Sequence, residues 1–187
     1  MPAGRTVWIT GISGAGKSTL ALELTRRLRA SGQATVMLDG DELRAVLGAS
    51  GQSHRREARL ALAMQYAKLC QIIARQGVTV VIATISLFRE VHAWNRQNLP
   101  GYFEVYLKVP LDELRRRDPK GIYRAFDAGL LSSVAGLDLQ VDEPNSADLI
   151  FEFTPGQTPA ALADKLAAAL ADRLKPPHFP SPARGGG

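Results

Sequence analysis

Apolar residues fall along this chain in short continuous runs separated by stretches with helical spacing, and that alternation predicts an α/β protein. Val7-Trp8-Ile9 is the first run, after which Leu20, Ala21, Leu24 and Leu28 share one helix face. Ser31-Gly32 stops that helix, and Ala34-Thr35-Val36-Met37-Leu38 reads as a buried strand. A short helical segment from Glu42 to Leu47 and a small polar loop, 48–53, lead into a long helix from Arg55 to Gln76. Leu60, Ala63, Ala67, Cys70 and Ala74 mark one face of it, widened by Leu62, Tyr66, Leu69 and Ile73. Val78-Thr79-Val80-Val81-Ile82-Ala83 is the clearest core strand, apolar without interruption as a parallel strand covered on both faces must be. The segment from Phe88 to Asn98 reads as helix until Pro100-Gly101 breaks it. Phe103 to Val109 is a fourth strand, Pro110 opens a short helix, and Leu149 to Phe153 is a fifth strand. Leu162, Leu166, Leu170 and Leu174 space a last helix. The pattern predicts a three-layer sandwich around a parallel five-stranded sheet.

Two stretches fall outside this rhythm. Residues 118–144 have little apolar periodicity, several glycines, and Lys120, Tyr123 and Arg124. An excursion of that length inside a compact domain is usually functional, and here it reads as a lid that brings cations over a reacting group and excludes water. Residues 175–187 are Pro/Gly-rich and are expected to be disordered, leaving 1–174 as a single domain. No repeat is visible.

Composition narrows the partners. The 187 residues carry a net charge of +5, enough to favour anionic partners. Arg115-Arg116-Arg117 is the densest basic cluster, which points to small nucleotides rather than nucleic acid. No apolar run reaches membrane-spanning length and the N-terminus lacks a signal-peptide layout. The single cysteine, Cys70, rules out a disulfide framework or a cysteine-based metal site, and the cytoplasm is the expected compartment.

The chemistry begins at Gly11-Ile12-Ser13-Gly14-Ala15-Gly16-Lys17-Ser18, which fits G-x-x-x-x-G-K-[ST] between a strand and a helix. The glycines let the backbone curl so that successive amides of Gly11, Ser13, Gly14, Ala15, Gly16 and Lys17 face a phosphate. The helix start adds free N–H groups and a positive dipole end. Lys17 can reach the β- and γ-phosphates of ATP, the Ser18 hydroxyl can ligate Mg²⁺, and Thr19 offers a second hydroxyl. This makes the expected fold that of the P-loop NTPases and nucleotide kinases.

Asp39-Gly40-Asp41 ends the second strand at the carboxyl edge, where open α/β sheets place ligands. One carboxylate can hold Mg²⁺ and the other can accept a proton from an attacking hydroxyl; an Asp41 helix cap is the plainer reading, and one residue can serve both. Arg55, Arg56 and Arg59 crowd the start of the long helix, the wrong sign for its dipole, so they face either an anion or solvent. Ser86, after the third strand, either touches phosphate or caps the next helix.

With these residues in view, the chain from Val7 to about Ile150 resembles the adenylyl-sulfate kinases, small P-loop enzymes that phosphorylate the 3′-hydroxyl of adenylyl sulfate with ATP. Leu38-Asp39-Gly40-Asp41 is similar to the family's D-G-D motif and Arg44 to the arginine after it. Ile85-Ser86-Leu87-Phe88-Arg89 resembles its I-S-P-F-R segment, whose serine is a phosphoserine position. Arg117-Asp118-Pro119-Lys120-Gly121-Ile122-Tyr123 matches its lid motif almost letter for letter. The resemblance implies a sheet with the second strand at one edge, followed by the third, first, fourth and fifth. It implies roles for Lys17, Asp41 and Ser86 in catalysis, for Ser18, Asp39 and Asp41 at Mg²⁺, and for Asp39, Arg44, Arg56, Arg59, Phe88, Arg117 and Lys120 around the acceptor, in an enzyme that often forms homodimers.

The departures cluster on the acceptor side. Arg59 stands at a family asparagine position, Ala61-Leu62 replaces an arginine pair, and Leu87 replaces a proline. Val134 stands where the family has a phenylalanine that stacks on adenine, an interaction worth on the order of 1–3 kcal/mol in related settings. Thr84-Ile85-Ser86, Asn95-Arg96 and Tyr102 to Tyr106 also resemble a divergent branch that includes cytidine-diphosphoramidate kinases. A GTPase or motor ATPase shares the glycine loop, but no N-K-x-D motif appears and no aspartate ends the strand from Val78 to Ala83. A silent nucleotide-binding module is opposed by the intact Lys17, Ser18 and Asp41.

Overall fold

Residues 4–47 and 56–173 are described by the computed structural model. The expectations for the 48–53 loop, Arg55, Leu174 and the 175–187 tail lie outside the described residues. The elements follow the predicted order: β1 (Thr6–Thr10), α1 (Lys17–Ala30), β2 (Thr35–Asp39), α2 (Gly40–Val46), α3 (Arg56–Ala74), β3 (Thr79–Ala83), α4 (Arg89–Asn98), β4 (Phe103–Lys108), α5 (Leu111–Arg117), α6 (Ile122–Asp127), β5 (Leu149–Glu152) and α7 (Pro159–Asp172). The sheet is parallel with order β2-β3-β1-β4-β5, as the resemblance implies.

The period of two along each strand sends alternate side chains to opposite faces, and each face has its own core. Val7, Ile9, Val81, Val105 and Leu107 pack under α1 and α7, against Leu20, Leu24, Leu166 and Leu170. Trp8, Val80 and Ile82 pack under α3 and α4, against Ala63, Ala67, Cys70 and Val91. Burial pushes the Cys70 thiol up to about 12, so it behaves as a small apolar side chain. The three layers follow directly from this division. Two details differ from expectation. β2 is half-buried along its length rather than buried, because it is an edge strand with β3 on one side only. The 118–144 excursion is not simply loop: it contains α6, and Tyr123, Val134 and Ala135 are buried.

All five strands run the same way, so their carboxyl ends and the loops after them meet at one edge. The glycine loop after β1, the acidic turn after β2 and the turn after β3 therefore become neighbours. Among the described residues, no helix is long and apolar enough to cross a membrane.

Candidate active site

A cleft of about 830 Å³ opens at this edge. Its donor wall is the glycine loop and the first turn of α1: Ser13, Gly14, Gly16, Lys17, Ser18 and Thr19. Gly16 caps α1 with φ +96, a left-handed conformation that other residues rarely adopt. The Lys17 ammonium donates to the Ile12 carbonyl at 2.8 Å, which arches the side chain back over the loop. Burial first, and the neighbouring Lys120 cation second, lower the Lys17 pKa to about 8, against the pull of Asp41 and Asp39.

The acidic turn stands opposite. Asp39, not Asp41, caps α2: its Oδ1 accepts from the Asp41 amide at 2.8 Å. Its Oδ2 accepts from the Ser18 hydroxyl at 2.5 Å. The cap thus leaves the Asp41 carboxylate exposed and facing Lys120, with which it forms an ion pair. Partial burial would raise the Asp41 pKa, but the hydrogen bond and charge of Lys120, with Arg44 and Lys17 adding, hold it below the usual carboxylate range. Gly40 fits a close approach: a Cβ there would lie 3.0 Å from Thr84 Oγ1 and 3.2 Å from the Ala83 carbonyl, tight enough that the neighbours would have to shift. The Tyr66 hydroxyl donates to the Gly40 carbonyl at 3.0 Å and pins the turn from below.

The 118–144 excursion lies along the third side. Tyr123 donates from its hydroxyl to the Ser13 carbonyl at 2.7 Å, tying α6 to the glycine loop. Buried Asp118 accepts from the amides of Tyr123 and Arg124 and organises the start of α6. Arg117 lines the cleft, donates to Glu113 at 2.7 Å and lies 4.9 Å from the centre of the Phe153 ring. Further along, Asp138 accepts from the amides of Ser133 and Val134, and Arg59 donates to the Ser133 carbonyl at 2.6 Å. Arg59 and Arg44 both line the cleft and, among the described residues, neither makes an ion pair. Burial, with the charge of Arg44, lowers the Arg59 pKa, against the pull of Asp138.

Of the residues singled out in the sequence, Ser13, Gly14, Gly16, Lys17, Ser18, Thr19, Asp39, Asp41, Arg44, Arg59, Arg117 and Lys120 meet at this cleft. Gly11 and Ala15 support the loop from within and do not line it. Ser86 is 6% exposed, and its hydroxyl is paired with that of Thr84 at 2.7 Å. Phe88 is buried with the Arg56 guanidinium 5.3 Å from its ring centre, and Arg56 is bound to Glu90 at 3.1 Å and Asp142 at 3.0 Å. Arg56 thus faces protein carboxylates, one of which, Asp142, is distant in sequence. Thr84 lines the cleft and was not singled out. Its signal lay in position, since the residue directly past the last ladder position of β3 faces the ligand edge. The backbone of Ser132 and Ser133 carried no such signal.

The chain is matched by the family model for adenylylsulphate kinase over residues 3–152. It is 36% identical over 144 residues to a cytidine diphosphoramidate kinase of Campylobacter jejuni, covering 77% of this chain and 83% of that protein. It is 35% identical over 146 residues to an adenylyl-sulfate kinase of Picosynechococcus, covering 78% and 82%. The APS kinase CysC of Mycobacterium tuberculosis, solved in complex with AMPPNP and APS, superposes with a TM-score of 0.83 at 32% identity, over 91% of this chain and 99% of that one.

Proposed function

This chain belongs to the adenylylsulphate kinase family, and we propose on that premise that it is an ATP-dependent kinase transferring the γ-phosphoryl group to the 3′-hydroxyl of adenylyl sulfate or a closely related nucleotide. One observation carries the reading: Lys17, the Ser18–Asp39 pair, and Asp41 with Lys120 converge on a single cleft. The loop amides and Lys17 hold the donor phosphates and spread the charge of the transition state. Asp41, kept ionised by its cations, accepts the proton of the attacking hydroxyl. Lys120 moves from Asp41 to the transferring phosphate, which frees the carboxylate as the charge is needed elsewhere. Arg44 and Arg59 hold the anionic part of the acceptor.

A hydroxyl and a carboxylate in contact form an oxygen-only donor set that fits Mg²⁺. Ser18 and Asp39 would hold it, with Asp41 beside them, and bound there it would neutralise charge on the phosphates. The enzyme works on the cytoplasmic nucleotide pool, as a homodimer.

A second reading has its own observation. Among the described residues lining the cleft, none is aromatic, while Arg44 and Arg59 line it without a carboxylate ion pair among the described residues. A site that holds its acceptor by charge rather than by base stacking suits a nucleotide with a diphosphate group, such as cytidine diphosphoramidate, the substrate named for one relative. Phosphorus NMR of reactions with ATP and each acceptor decides between them. A new ribose phosphate on adenylyl sulfate supports the first reading; one formed only on the cytidine conjugate supports the second; none on either contradicts both.

A further inference from the structure

The turn after β3 is held in a conformation its residues do not favour. Ser86 sits at φ +27, in the left-handed region, without being glycine. Such strain persists only where surrounding contacts over-determine it, and it gathers at functional sites. Here the contacts are many. The Thr84 and Ser86 hydroxyls pair, the Phe88 amide donates to the Ser86 carbonyl at 3.0 Å, and the Asp142 amide donates to the Leu87 carbonyl at 3.0 Å. Thr10, the last residue of β1, donates its hydroxyl to the Ile85 carbonyl and so ties the turn to the start of the glycine loop.

One further contact comes from behind. His92 on α4 places Nε2 3.3 Å from the Ser86 carbonyl. A carbonyl only accepts, so Nε2 carries the hydrogen. Nδ1 of the same ring lies 3.9 Å from Oε1 of Glu104. Glu104 is a carboxylate at 1% exposure within β4, fixed by Arg96 at 3.2 Å and by the Tyr102 hydroxyl at 2.9 Å. Asn95 in turn donates to that hydroxyl at 3.4 Å. The imidazole is therefore wedged between a rigid buried anion and the one strained carbonyl of the turn. A second cleft, of about 480 Å³, runs past His92, Arg96 and Glu104, so a shorter side chain at 92 would meet water rather than a void.

We infer that His92 is a positioning residue: it holds the Ser86 carbonyl and with it the turn that brings Thr84 and Ile85 to the cleft. The functional part of this rests on the kinase reading of the cleft; the structural part does not. The test compares His92→Leu, which removes the donor, with His92→Gln, whose amide nitrogen can replace it. Hydrogen exchange of the Phe88 amide, measured on the full chain without substrate, should quicken about tenfold in His92→Leu and return toward wild type in His92→Gln. The acceptor KM should rise by about the same factor in His92→Leu, with the ATP KM and Tm unchanged. Unchanged exchange in His92→Leu, or no rescue by His92→Gln, would overturn the inference. If the wild-type enzyme phosphorylates neither acceptor, the exchange result still decides whether His92 holds the turn, and the failure belongs to the kinase reading alone.

Discussion

The two walls of the cleft are made in opposite ways. From Ser13 to Thr19 the donor wall is one unbroken segment, running off a strand whose five residues are all buried and into a helix packed on the sheet. It acts largely through backbone amides, which any sequence able to make the turn would supply. The proposed acceptor wall comes from four separate stretches: Arg44 on α2, Arg59 on α3, residues 83–85 at the end of β3, and residues 131–135. It acts through side chains, and several of those are held by partners far away in sequence, as Arg59 is by the Ser133 carbonyl. The difference teaches where specificity can change. A backbone cradle is fixed once the fold is fixed, whereas a wall assembled from side chains can be re-aimed by one substitution.

Substitutions should separate the two walls, and the largest losses should fall where they meet. Asp41→Asn removes the proton acceptor and should lower kcat by about 10²–10⁴-fold, with Tm unchanged because the side chain is exposed; steady-state kinetics and a melting curve check both. Lys17→Ala should lower kcat by about 10²–10³-fold, as loss of a preorganised charge does, and should weaken ATP binding in a titration. Arg59→Asn should act on one wall only, raising the acceptor KM about tenfold while leaving the ATP KM unchanged. An equal rise in both constants would break the distinction between the walls.

Two smaller effects are pH-dependent. With the Lys17 pKa at about 8 and only the ammonium attracting phosphate, ATP affinity should be level below that pH and fall as pH rises through it. Isothermal titration at several pH values reads this directly. Removing Lys120 takes away the main cation that lowers the Asp41 pKa, so that pKa should rise. The acid limb of the kcat/KM profile, which reports the free enzyme, should therefore move to higher pH in Lys120→Ala.

The same contrast governs how much was legible in the sequence. The sheet and its two cores follow from apolar runs of strand length, and β3 needed nothing more than Val78 to Ala83. The glycine loop was legible because its spacing, flanking strand and following helix agree. The edge position of β2 came from the family resemblance and not from the apolar pattern, because its residues are as apolar as those of a central strand and burial depends on a neighbour that the pattern does not name. Asp39 and Asp41 were recognisable as a pair, but which of them caps α2 depends on the turn between them. Arg56 read as facing either an anion or solvent, and it faces Glu90 and Asp142, the second pairing spanning β3, α4, β4, α5 and α6 in the chain. Ser86 stood out as a hydroxyl at a strand end, yet it is Thr84, two residues earlier, that lines the cleft.

In the proposed reaction this cleft moves a phosphoryl group to an acceptor rather than to water. ATP consumption measured with Mg²⁺, with and without adenylyl sulfate or the cytidine conjugate, tests it most directly. Turnover should be negligible with ATP alone and rise by orders of magnitude when an accepted nucleotide is added. ATP hydrolysis at the same rate whether or not any acceptor is present would contradict it.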